Sequence, residues 1–86
     1  MYKYVFWRLR KSGVAEYADL QEALGRWAHD FRFGAAWSPG IAGTDGTIWL
    51  PDCLSSEDKK AQYAAEVVRL SGIQPVRVFL FGVPEV

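Results

Sequence analysis

The sequence predicts an α+β fold: a two-layer domain with a mostly antiparallel sheet of four or five strands and two helices on one face. Three observations carry this. Residues 2–10 alternate two sets of side chains and are rich in aromatic and β-branched types, a strand signal. Two later segments repeat apolar residues at intervals of three and four, the spacing of one helix face. Short apolar runs between and after those segments supply the remaining strands. The resulting order is β-α-β-β-α-β, which suits a ferredoxin-like arrangement with the first and last strands side by side at the centre.

In the first strand one parity carries Lys3, Val5, Trp7 and Leu9; the other carries Tyr2, Tyr4, Phe6, Arg8 and Arg10. Lys11-Ser12-Gly13 reads as a turn or as the start of a helix. A helical stripe follows at Tyr17, Leu20, Leu24, Trp27 and Phe31. Its start has two readings. Either Ser12 caps a long helix, or residues 14–17 pair back on the first strand as an extra short strand and Asp19 caps a shorter helix. The Asp19-x-x-Glu22 spacing is that of a capping box and favours the second reading. Residues 31–37 read as a short strand and residues 38–44 as a Gly-rich loop containing Pro39. Asp45-Gly46 is a hairpin-turn signal. Residues 47–50 form the next strand, stopped by Pro51. Ser55-x-x-Asp58 opens the second helix with a capping pattern and acids in its first turn. Ala61, Ala64, Ala65, Val68 and Leu70 form its inner side, and Ser71-Gly72 its end. Residues 76–81 are the last and most hydrophobic strand, with Val76, Val78 and Leu80 opposed to Arg77, Phe79 and Phe81.

The 86 residues amount to one domain, 1–86, and 50% of them are hydrophobic, enough for a dense core and too many for a disordered chain. The parity of the strands and the helix stripe place Val5, Trp7, Leu9, Leu20, Leu24, Trp27, Ile48, Val68, Val76, Val78 and Leu80 in that core. No apolar run reaches the ~18–20 residues of a membrane span. The start has basic residues after its apolar ones, opposite to a secretory signal, so the chain reads as a self-contained protein beginning at Met1. A single Cys excludes an intramolecular disulfide framework and fits a cytoplasmic location.

With both helices on one face, the other face is open to a partner, to a second copy or to the C-terminal tail. Tyr2, Tyr4, Phe6 and Arg8 of the first strand, beside Arg77, Phe79 and Phe81 of the last, form that open face. Aromatic residues and arginines of this kind mark binding sites. The reading reverses if strand parity reverses, and the face is occupied if residues 82–86 fold over it. An aromatic sheet also suits single-stranded nucleic acid. Yet the Lys/Arg-Gly-aromatic run of RNA-recognition domains is absent, and ten basic residues balance ten acidic ones, which removes the main electrostatic attraction. Charge is nevertheless polarised. Lys3, Arg8, Arg10 and Lys11 lie in the first eleven residues, and Asp45, Asp52, Glu57 and Asp58 lie between 45 and 58.

Catalytic signals are weak. His29 and Cys53 are the only His and Cys, with no spacing motif between them, and each has an ordinary role at a helix end. Gly40-x-x-Gly43-x-x-Gly46 lacks the Lys and Ser/Thr of a phosphate-binding loop and does not open a helix. Glu57 and Asp58 are adjacent on a helix and do not face each other. No catalytic, cofactor-binding or metal-binding residue is therefore assigned. The expectation is a small protein-binding module acting through the open face. By analogy of size, small phage- or mobile-element-encoded inhibitors, including anti-CRISPR-like proteins, share this profile. The alternatives are a dimeric α+β-barrel enzyme or ligand-binding protein and a single-stranded nucleic-acid binder.

Overall fold

The computed structural model describes residues 1–8, 11–33, 37–52, 54 and 56–82, with only the backbone at Arg8 and Trp37. The elements are β1 (Tyr2–Arg8), β2 (Lys11–Tyr17), α1 (Leu20–Phe33), β3 (Trp37–Gly43), β4 (Thr47–Pro51), α2 (Glu57–Ser71) and β5 (Arg77–Phe81). They form an α+β domain around one mixed five-stranded sheet of order β2-β1-β3-β4-β5.

The extra strand is present, and it decides the topology. β2 runs antiparallel along β1 from Tyr2↔Tyr17 to Arg8↔Lys11. Lys11-Ser12-Gly13 is thus strand, and α1 is the shorter helix. Its first turn is capped by Asp19, whose Oδ1 accepts the Gln21 N–H at 3.0 Å. Because β2 fills one edge of β1 and β3 the other, no edge of β1 is left for the last strand. The expected central pairing of first and last strands is therefore replaced: β5 pairs with β4 alone, in parallel, at the far edge. A parallel pair needs a crossover, which α2 supplies.

The stretch expected to be a loop is β3, the central strand. Residues 31–33 close α1 instead of opening a strand. Pro39 is accommodated by a bulge: β1 advances two residues, from Val5 to Trp7, while β3 covers three, from Gly40 to Trp37. The Ser38 hydroxyl accepts from Gly40 N–H and donates to Gly40 O, both at 3.2 Å, within that bulge. Gly40 itself has no room for a side chain, since a Cβ would lie 2.4 Å from the Trp49 carbonyl oxygen. The Asp45-Gly46 turn forms as expected. Gly46 has φ 92°, and its N–H donates to Gly43 O at 3.0 Å.

α2 starts one residue later than the pattern suggests. Ser56 is the cap, accepting the Lys59 N–H at 3.1 Å; Ser55 lies outside the described residues. Gly72, in the left-handed conformation, ends the helix as expected. Its inner side is Tyr63, Ala64, Val67, Val68 and Leu70, whereas Ala61 and Ala65 face solvent.

The two helices cover opposite faces of the sheet, so the expected two-layer arrangement becomes three layers. Alternate strand residues separate into two clusters. Tyr4, Ile41 and Phe81 pack with Ala23 and Trp27 of α1, joined by Tyr2, Phe6 and Trp49. Val5, Ala42, Ile48 and Leu50 pack with Val67 of α2, which also receives Trp7 against Tyr63. Of the expected core, Val5, Trp27 and Ile48 are buried, and Trp7, Leu20, Leu24 and Val68 are half-buried. Val76, Val78 and Leu80 are 72%, 52% and 48% exposed, because β5 is an edge strand. Leu9 lies outside the described residues.

Candidate functional site

The face expected to be open is the face that α1 covers. Tyr2 and Phe6 are half-buried and Tyr4 is fully buried, all three under α1. Phe81 is buried edge-on against Trp27, with ring centroids 4.9 Å apart. Arg8 closes β1, which β3 and β4 separate from the β5 strand of Arg77. Among the members of the expected set whose side chains are described, only Arg77 and Phe79 are exposed, both on β5. The aromatic parity of β1 is thus core, and the correction has one cause: each helix takes a face of its own.

Beneath α1 lies a polar network that the aromatic pattern concealed. Asp30, in the last turns of α1, is 1% exposed. Its Oδ2 accepts the Tyr4 hydroxyl at 2.5 Å and the Arg26 Nε–H at 3.1 Å, while Oδ1 has no partner among the described residues. Burial, and then the Asp30 hydrogen bond and charge, push the Tyr4 phenol well above its ordinary range. The same carboxylate raises Arg26. Next to this network the Trp27 indole donates to Ser38 O at 3.2 Å. These bonds tie α1 to β1 and β3 at fixed register. Their sequence signal is an acid at position 30 of a stripe that runs 20, 23, 24, 27, with an arginine one turn before it.

The longest run of exposed apolar residues is β5 with the residue before it: Val76, Val78, Phe79 and Leu80 are all solvent-facing, Arg77 is the strand's one charge, and Phe31 and Phe33 at the end of α1 are exposed elsewhere. Val78 and Leu80 lie on the α2 face beside Ile48 and Leu50; Phe79 lies on the α1 face against Trp49, centroids 5.1 Å apart. The Trp49 indole N–H is buried there without an acceptor among the described residues. An open groove lined by Leu24, Gly25, Trp27, Ala28 and Phe81 runs between α1 and the end of this strand. The start of β5 is anchored: Val76 N–H and Arg77 N–H both donate to Gly46 O, at 2.8 and 3.4 Å.

His29 is exposed and packs on Phe33, with centroids 4.8 Å apart; Cys53 lies outside the described residues. Among the described residues, no group of three His, Cys, Asp or Glu side chains gathers to hold a metal, and no helix is long and apolar enough to cross a membrane. Compared with known proteins, the chain matches no family model, no curated protein and no solved structure.

Proposed function

We propose that the protein is a small protein-binding module whose docking element is the edge strand β5, with the groove beside α1 as its flank. One observation supports this most: a five-residue strand with apolar side chains on both faces stands exposed at the sheet edge. Such an edge is a template for pairing with another chain, and its side chains add specificity to the backbone bonds. The opposite edge makes the contrast. The solvent-facing positions of β2 are Lys11, Ser12, Val14 and Glu16, three of them the polar and charged residues by which a sheet edge avoids association. An inhibitor of the phage-encoded kind would act by laying such an edge against a partner's strand. The binding residues of this reading are Arg77, Val78, Phe79 and Leu80. The test is a measured affinity for a purified partner obtained by capture from the native host. Phe79→Ala and Leu80→Lys should each weaken binding by about 1–3 kcal/mol and spare the fold. Two folded variants with unchanged affinity reject the reading.

A further inference from the structure

We propose that the partner of β5 is the β5 of a second copy of this chain, paired antiparallel across a two-fold axis at Phe79. The inference rests on the reading of β5 as the docking element. It begins from an anomaly of the sheet. Parallel strand pairs normally have both faces covered. Here α2 packs over one face of β4 and Trp49 is half-buried on the other, whereas among the described residues neither helix backbone packs over β5, its parallel neighbour, and only its last residue, Phe81, is buried against α1.

Backbone direction then selects the register. Arg77 N–H donates toward β4, and Phe81 O accepts from Asp52 N–H at 3.0 Å on the same side. By strand alternation Phe79 also faces β4, and the N–H and C=O groups of Val78 and Leu80 point away from the sheet. A two-fold axis at Phe79 sets Val78 opposite Leu80 of the second copy, and Leu80 opposite its Val78. Both become hydrogen-bonded pairs, so four backbone bonds form. Centring the axis on Val78 would call on Val76, whose N–H is already committed to Gly46 O.

The side chains agree with that register. Val78 meets Leu80 on the α2 face, and Phe79 meets Phe79 on the α1 face, so apolar faces apolar on both sides. The only charge, Arg77, falls opposite Phe81 and away from its own copy, so like charges are not juxtaposed. Ten basic and ten acidic residues leave no net charge to hold two copies apart. The product is one ten-stranded sheet that gives β5 a neighbour on its bare edge.

Sedimentation equilibrium of the wild-type chain should give twice the monomer mass, and the melting temperature should rise with protein concentration. Val78→Pro removes an outward-facing N–H and no bond to β4, so it should remain folded and become monomeric. Leu80→Lys, which buries no charge in the monomer, should do the same. In a Cys53→Ser background, Phe79→Cys should cross-link into a dimer under oxidised glutathione, since residues paired on the axis without hydrogen bonds have Cα atoms about 4.5 Å apart. Arg77→Cys, two residues from the axis, should not. A monomeric wild-type protein overturns the inference. So does a dimer that survives Val78→Pro and Leu80→Lys, or one that cross-links through Arg77→Cys and not Phe79→Cys. A monomer whose affinity for a captured partner still depends on Leu80 would sink the dimer and keep the wider reading; an affinity indifferent to Leu80 and Phe79 would sink the wider reading as well.

Discussion

Tyr4 and Asp30 show how a single residue can carry two expectations at once. An aromatic on the first strand was expected to meet a partner; it meets a buried carboxylate in its own core. Removing its hydroxyl with Tyr4→Phe leaves Asp30 with Arg26 alone, and a buried acceptor that loses a donor costs about 1–3 kcal/mol. Urea denaturation at neutral pH should read that loss. The pH dependence follows from the raised Tyr4 phenol. A group whose folded pKa is raised contributes fully below its unfolded value, about 10 for Tyr, and loses that contribution as pH climbs toward the folded value. Stability should therefore decline above about pH 10, and the decline should be shallower in Tyr4→Phe. Equal slopes in the two proteins would show that another group drives alkaline unfolding.

Among the elements, the helices and the β3–β4 turn follow from local chemistry, and β3 does not. Gly-rich composition and Pro39 point to a loop; the strand exists because its backbone is paired on both sides and a bulge absorbs the proline. The cap of α2 is a local feature with a local test. Ser56→Ala should cost about 1 kcal/mol, measured by thermal melting, because the Lys59 N–H loses its acceptor. Gly46 couples the turn to β5. Its φ of 92° disfavours any side chain, and a Cβ would lie 2.5 Å from Val76 Cγ2. Gly46→Ala should lower stability by about 1–3 kcal/mol and speed amide exchange at Val76 and Arg77, whose N–H groups it holds. Unchanged exchange at those two amides would show that β5 is held by β4 alone.

For the whole molecule, the three-layer arrangement reverses which substitutions matter. Val67 is fully buried between α2 and the sheet, whereas Val78 is 52% exposed on the edge. Val67→Asp places an unpaired charge in the core and should cost more than about 4 kcal/mol, most of a typical stability of ~5–15 kcal/mol. Val78→Asp should leave a folded chain with its melting transition intact at low concentration. Circular dichroism of both variants checks the pair; a Val78→Asp chain that unfolds would return β5 to the core.

The linear pattern determined the α+β class, the helices with their caps near 19 and 56, the Asp45-Gly46 turn and the apolar character of the last strand. These depend on neighbours within a few residues: capping bonds, helical spacing and turn conformation. Strand parity was legible too, since Val5 and Tyr4 do face opposite sides. Which helix covers which side was not. Alternation says that two faces differ, not what lies on each, and an aromatic face suits a core as well as an interface. Only the tertiary structure decided that β2 takes the edge of β1, that β5 is thereby left at the rim, and that α1 buries Tyr4 upon Asp30. Those outcomes rest on long-range pairing, where one strand's partner is set by which edges the other strands have already filled.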